Sequence, residues 1–268
     1  MGYWAVARWS TGSRAECVVL YYHGVGDEQR FRFRRQLEWL REHTKVVRLS
    51  EAAAASTPGR RTCLTFDDAL DNVRRNAVPI LRELGLPATV FAVSGNLGRR
   101  PDWPIPPGDP DAKETVMTLE QLSQLPRELV EIGSHTVTHA NLATLSAAQV
   151  RRELEDSKCQ LEAALDRPIE TFSVPFGERH PQTLRIAREA GYTTVVTCEP
   201  QVVRPGDATL GVGRFKVTPD DWTLEFRLKA VGAYRWRRAF RRSNRAPNAA
   251  TRFAAQPVAC ARGSDETG

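Results

Sequence analysis

Cys63-Leu64-Thr65-Phe66-Asp67-Asp68 decides how this chain folds: an apolar run that stops at two adjacent carboxylates. The run reads as a short buried strand. Successive strand side chains point to opposite faces. Asp67 and Asp68 can therefore serve one site only where the backbone is leaving the sheet, at the C-terminal rim where α/β barrels carry their chemistry. A lone Asp-Asp pair more often caps the next segment. The pattern recurs, however: Leu129-Val130-Glu131-Ile132-Gly133 reads as another strand and runs into Ser134-His135-Thr136-Val137-Thr138-His139. Two histidines four apart are one helical turn apart, so their rings can face the same way and share a metal. Two imidazoles and a carboxylate form a three-ligand shell that leaves positions for water and substrate.

Thr65-Phe66-Asp67-Asp68, Ser134 to His139, and Val174-Pro175-Phe176-Gly177 together resemble, in order and spacing, the first three motifs of the polysaccharide deacetylases. That is the NodB-like carbohydrate esterase family 4, and the resemblance covers about residues 17 to 217. It implies an irregular (β/α)7 barrel in a single domain and the hydrolysis of acetyl groups, chiefly N-acetyl, on a carbohydrate or glycoconjugate. It also implies roles. Asp67 matches the general base, and Asp68, His135 and His139 match the ligands of one divalent ion. Zinc is the first choice because imidazoles suit it, with cobalt, nickel or manganese as substitutes. The Phe176 amide matches an oxyanion donor, and Pro175 lies with it against the substrate.

The departures are specific. Where the third motif carries an arginine two residues before its proline, holding the catalytic aspartate, this chain has Ser173. Ala69 replaces the glycine that closes the first motif, and no histidine follows His180 to act as the late general acid. The Asp/Trp motif that walls the groove is not evident in Gly191 to Val196. His180 is the candidate substitute acid, against a capping or surface role. Arg214 is the candidate to stand in for the missing arginine near Asp67 at the substrate rim.

Length and composition set the outer limits. At 268 residues and 41% hydrophobic content, the chain can bury one sizeable core. Five scattered cysteines without Cys-x-x-Cys read as core thiols in a reducing compartment. No signal-peptide run precedes residue 17, and nothing approaches the ~18 apolar residues of a membrane span. The expectation for the sequence as it stands is therefore cytoplasmic. A net charge of +6 raises a nucleic-acid reading. The basic residues are spread along the chain, without a stacking array or zinc-finger cysteines, so no specific nucleic acid is expected. A barrel that binds carbohydrate but has lost catalysis is the other alternative, and Ser173 favours it.

Along the chain, Cys17 to Tyr22 reads as a strand delivering His23 to the rim, either beside the metal or as a turn histidine. Phe33, Leu37 and Leu40 mark a helix face, and Val46 to Leu49 the next strand. Ala77 to Leu84 reads as a helix stopped by Gly85, and Pro87 to Val93 as a strand. Residues 94–113 hold five prolines and three glycines around Trp103. Such a segment is a rim wall in which Trp103 either stacks on a sugar or anchors the loop. Thr118 with Gln121, and Ser146 with Gln149, fit capping boxes. Thr171 to Val174, Thr193 to Thr197 and Val212 to Val217 read as the remaining strands, with a helix from Pro181 to Ala190. Within 218–243, Leu224 to Arg242 reads as a basic amphipathic helix that closes the barrel or adheres to an anionic membrane. Residues 1–16 read as an extension and 244–268 as a disordered tail.

Overall fold

The computed structural model describes residues 16–54, 59–106 and 108–236. Its strands and helices, in order, are β1 (Cys17–Tyr22), α1 (Arg30–His43), β2 (Lys45–Val46), β3 (Arg61–Phe66), α2 (Val78–Leu84), β4 (Ala88–Ala92), α3 (Leu119–Ser123), β5 (Val130–Ser134), α4 (Ala147–Leu165), β6 (Thr171–Ser173), α5 (Thr183–Glu189), β7 (Thr194–Val196), β8 (Leu210–Val212), β9 (Phe215–Lys216) and α6 (Thr223–Ala230). Their sheet runs β8-β7-β6-β5-β4-β3-β1-β9, with β2 beside the start of β3. All its ladders are parallel.

The fold is α/β with a parallel sheet, as expected of an irregular (β/α)7 barrel, but the sheet curls only into an open half-barrel. The opening lies where a single strand from Val212 to Val217 was expected. Gly213 and Arg214 break that run, so that β8 and β9, consecutive in sequence, stand at opposite ends of the sheet. Glycine is needed at the break because a Cβ on Gly213 would sit 2.4 Å from the Glu199 carbonyl oxygen.

Period-two alternation separates the two faces of the sheet. Along β1, Val18, Leu20 and Tyr22 join the cluster under the helices, whereas Cys17 and Val19 face the inside of the curl with Cys63, Phe91, Val196 and Val212. Outside, Phe33, Leu37 and Leu40 of α1 are buried, and the Phe33 ring meets Tyr22 at 5.3 Å and Phe66 at 6.1 Å. The longest helix, α4, buries Val150, Leu154, Leu161 and Leu165 and opens on the Ser146–Gln149 capping box. α3 opens on the Thr118–Gln121 box. Gly85, at φ 66, stops α2.

Two local expectations fail. β2 covers only Lys45–Val46, since the chain tightens into a 3-10 turn at Leu49–Glu51. The long C-terminal helix is also cut short. α6 ends at Ala230, and Gly232 turns the chain at φ 71. Phe226 and Ala230 bury that helix, while Lys229 is paired with Asp221 and Glu225. After a 3-10 turn at Ala233–Trp236, residues 237–242 of the expected basic helix, with Phe240, lie outside the described residues, as do the tail and most of the N-terminal extension. Among the described residues no helix is long and apolar enough to cross a membrane.

Parallel register brings the strand ends to one rim. Tyr22 aligns with Phe66, Phe66 with Val90, Ala92 with Ser134, and Ser134 with Phe172. The two motif-bearing ends, after β3 and after β5, therefore open on the same side. β5 is packed tightly enough to test this. A Cβ on Gly133 would meet Thr171 Oγ1 at 2.4 Å and the Phe91 ring at 2.5 Å. Gly133→Ala should lower stability in urea unfolding by about 1–3 kcal/mol, the cost of overpacking a filled core.

Candidate active site

Asp67 continues the inward-facing set of β3 after Cys63 and Thr65. Asp68 turns to the same side because its backbone leaves the strand, at φ 67. Five of the six described non-glycine residues with positive φ stand at the three motifs: Asp68, Ala69, Thr136, His139 and Phe176. Left-handed backbone is costly for side-chain-bearing residues and accumulates where a site demands it. Ala69, at φ 50, occupies a conformation that glycine adopts without that cost.

Asp68, His135 and His139 converge. Their ligand atoms lie within 4.8 Å of one another, with the Asp68 Oδ1 atom 3.5 Å from His135 Nε2 and 3.3 Å from His139 Nε2. All three residues are buried. His135 Nδ1 lies 2.8 Å from the Ser173 carbonyl oxygen. A carbonyl only accepts, so that nitrogen carries the proton and the Nε2 lone pair is left facing Asp68. Asp68 Oδ1 has no hydrogen-bond partner. Burial, then the neighbouring Asp67, pushes the Asp68 carboxyl well above its usual range. Burial also lowers both histidines and keeps them neutral. Two neutral imidazoles and an orphaned carboxylate oxygen, lone pairs converging, are the donor set of a divalent cation.

Asp67 is held differently. Arg214 Nη1 donates to its Oδ1 at 2.8 Å and Nη2 to its Oδ2 at 2.8 Å. The same guanidinium donates to Ser173 Oγ at 2.8 Å, Thr65 Oγ1 at 3.1 Å and the Thr197 carbonyl at 3.2 Å, and it lies over the Tyr21 ring at 4.5 Å. Ser173 Oγ also donates to Asp67 at 3.2 Å. Burial alone would raise the Asp67 carboxyl. The Arg214 charge, with His135, outweighs it and holds the group well below the usual carboxylate range. Arg214 is fully buried, so it bears on Asp67 and reaches no substrate groove.

These groups open on a cavity of about 220 Å³ lined also by Tyr21, His23, Trp103, Phe176, Cys198 and Lys216. His23 is partly buried there, and burial lowers its ring to about 4. Trp103 is 8% exposed and stacks on the His139 ring at 4.5 Å and 23°, so one face of the indole is committed to a metal-ligand residue. Phe176 meets the same imidazole edge-on at 4.6 Å, and its side chain is exposed at the rim. Pro175 is buried and does not line the cavity. His180 does not line it either. Its Nδ1 accepts the Gln182 backbone N–H at 3.1 Å, the contact of a turn cap. Sequence reasoning missed Asp109, Asp111, Cys198 and Lys216, which also line the cavity. A larger depression of about 400 Å³ between α2 and α3 carries none of these groups.

Fold and site together define a parallel α/β half-barrel with an Asp/His/His centre on its C-terminal rim. Residues 54–195 match the family model described as polysaccharide deacetylase, more than half of the chain, and the chain belongs to that family. It is similar to YxkH of Bacillus subtilis, with 24% identity over 220 residues, 78% of this chain and 74% of that protein. It is similar too to a poly-beta-1,6-N-acetyl-D-glucosamine N-deacetylase of Staphylococcus aureus, with 24% identity over 196 residues, 70% of this chain and 67% of the relative. Among solved structures, IcaB from Ammonifex degensii superposes with a TM-score of 0.68 and 29% identity, over 83% of this chain and 98% of that one.

Equilibrium dialysis should find one divalent ion per chain, and Asp68→Ala or His135→Ala should abolish that binding while the far-ultraviolet circular dichroism is retained. Arg214→Met should cost about 3–5 kcal/mol, because it strands a buried carboxylate. The Asp67 pKa is depressed in the folded state. Its stabilisation is therefore present above the unfolded value of ~4 and is lost as pH falls below it. Thermal unfolding against pH should show the gap between wild type and Arg214→Met narrowing in acid below about pH 4.

Proposed function

We propose that this protein is a metal-dependent hydrolase that removes acetyl groups from the nitrogen of an N-acetylated sugar in a glycan or glycoconjugate. The observation that carries the reading is the pairing, in one buried site, of a cation-ready Asp68/His135/His139 set with a separately clamped Asp67. Membership in the polysaccharide deacetylase family supports it. The Staphylococcus aureus relative, whose name specifies N-deacetylation of a poly-N-acetylglucosamine, supports the amide over the ester.

Asp68, His135 and His139 would hold the ion, with zinc the proposed one. A divalent cation there supplies Lewis acidity, polarising an acyl carbonyl and acidifying water from a pKa of ~16 towards ~7. The protein's own residues do the rest. Asp67, fixed by two hydrogen bonds from Arg214, takes the proton of the attacking water. As the carbonyl becomes a tetrahedral oxyanion, the Phe176 backbone N–H donates to it. The clamp that keeps Asp67 ionised also makes it a weak base, so it does not retain the proton. His23, on the same cavity wall and more basic, receives it and passes it to the leaving nitrogen as the C–N bond breaks. The Asp67 and His23 carriers are then restored, and the products are acetate and a free amine. Trp103 and Phe176 cover the His139 ring and limit water at the centre.

Acetate release should be measured on N-acetylglucosamine oligomers and small N-acetylglucosaminyl conjugates with the zinc- or cobalt-loaded protein. Release should depend on the ion and vanish in Asp67→Asn. His23→Gln should lower kcat by about 10²–10⁴-fold, whereas His180→Gln should leave it unchanged. Tight metal binding with no release from any substrate would overturn the assignment.

A further inference from the structure

The end of the sheet opposite the rim carries a cluster for which the hydrolytic steps have no use. Cys17 opens β1, Arg61 opens β3, and the two are register partners. Cys63, two residues after Arg61, faces the same side. The Cys17 and Cys63 sulfurs lie 3.6 Å apart, and both residues are fully buried. Val19, Val47, Leu49, Phe91 and Val203 surround them, so two thiols meet in a dry apolar setting.

A second feature is the guanidinium beside them. Arg61 is 3% exposed, and its Nη1 donates to the Glu51 carbonyl oxygen at 2.9 Å. Among the described residues, its buried Nε and Nη2 have no hydrogen-bond partner. Those two atoms form one edge of the guanidinium, the fork that accepts an anion. A buried charge with idle donors is costly until something negative stands beside it. The Arg61 charge already bears on the thiols: contact with Cys17 and burial push the Cys63 thiol up, and Arg61 pulls it down.

Two chemistries join neighbouring thiols, and geometry separates them. A disulfide needs its sulfurs ~2.05 Å apart and its Cα atoms within about 7 Å. Cys17 and Cys63 are diagonal neighbours on adjacent strands, a relation that sets Cα atoms roughly 7–8 Å apart. An ion held in line between two thiolates needs the sulfurs about 4.6 Å apart, twice a metal–thiolate bond of ~2.3 Å. The observed gap of 3.6 Å is closer to the second arrangement. Charge then selects the ion. Zinc takes four ligands, and among the described residues no third His, Cys, Asp or Glu joins the two thiols. A soft monovalent ion such as copper(I) suits thiolates and leaves the pair with one net negative charge, which the idle fork of Arg61 matches.

We propose that Cys17 and Cys63 form a two-coordinate site for a soft monovalent cation of the copper(I) class, with Arg61 as its counter-charge. Each cysteine releases its thiol proton to solvent as its metal–sulfur bond forms, and no electron is transferred. Cys63 also gives up its S–H contact with the Arg48 carbonyl oxygen at 3.4 Å. Cys17 and Arg61 stand at strand ends, where local opening costs least and lets the ion enter. The bound ion braces β1 to β3, the strands that deliver His23 and Asp67, from the end away from the rim.

The test uses the full chain, reduced, free of oxygen and first loaded with zinc. Copper(I) is titrated in competition with a chromophoric copper(I) chelator, and X-ray absorption at the copper edge reads its neighbours. One copper(I) per chain should bind with two sulfur neighbours, and the thermal unfolding midpoint should rise as the ion is added. Cys17→Ala and Cys63→Ala should each abolish the two-sulfur signature with the circular dichroism retained, whereas Cys198→Ala should keep it. Arg61→Gln should weaken binding by about 10–100-fold. Nitrogen or oxygen neighbours in the wild-type spectrum would overturn the site without recourse to any variant. A two-sulfur signature that survives loss of both cysteines, or an affinity untouched by Arg61→Gln, would overturn it too. So would a Cys17–Cys63 disulfide formed under mild oxidation in a chain that takes up no copper(I).

Discussion

The site depends on one buried ion pair. Arg214 and Asp67 meet through two parallel hydrogen bonds inside the curl of the sheet, and both are buried. Burying two charges is worthwhile only when their remaining donors and acceptors are also met. Here the surplus guanidinium donors go to Thr65, Ser173 and Thr197, which come from or just after β3, β6 and β7. The arginine lies in the break between β8 and β9, so the half-barrel's opening is spanned from inside by a buried carboxylate and its counter-charge. Ser173 makes this arrangement fit. A small hydroxyl there leaves the space that the guanidinium fills from the opposite end of the sheet.

The second carboxylate is governed by the opposite electrostatics. Asp67 is stabilised as an anion by the Arg214 charge bonded to it, whereas the Oδ1 of Asp68, one residue on, has no hydrogen-bond partner and that carboxyl is raised by burial and by Asp67 itself. Two adjacent aspartates are thereby set to different tasks by environment alone. One is held ionised by Arg214, and the other stands with two neutral imidazoles in a set that could hold a cation. The positive-φ backbone at Asp68, Thr136 and His139 is the conformational cost of that convergence.

Much of this was legible in the sequence, because it follows from local pattern. The strand ends at Asp67 and His135, the stripes of α1 and α4 and both capping boxes are set by residues close together in the chain. The failures have a common cause: they depend on contacts between distant segments. The split of Val212 to Val217 is decided by Glu199 pressing on Gly213 and by a carboxylate on β3 drawing Arg214 inward. Loop composition did not show which ring Trp103 would meet, because that ring, His139, comes from the turn after β5. His180 had no local signal to distinguish a cap from a catalyst. Asp111 and Cys198 reach the cavity only through tertiary packing, and no spacing in the sequence marks them.

The indole stacked on His139 also gives the molecule an optical property. Trp103 is within ring-contact distance of a residue that would ligate the ion, so its excited state shares a neighbourhood with whatever metal is bound. A closed-shell zinc ion has no low-lying d–d transitions to accept that energy, whereas open-shell cobalt or nickel has them. Trp103, one of six tryptophans, is thus placed so that its emission responds to the electronic structure of an ion held at the centre.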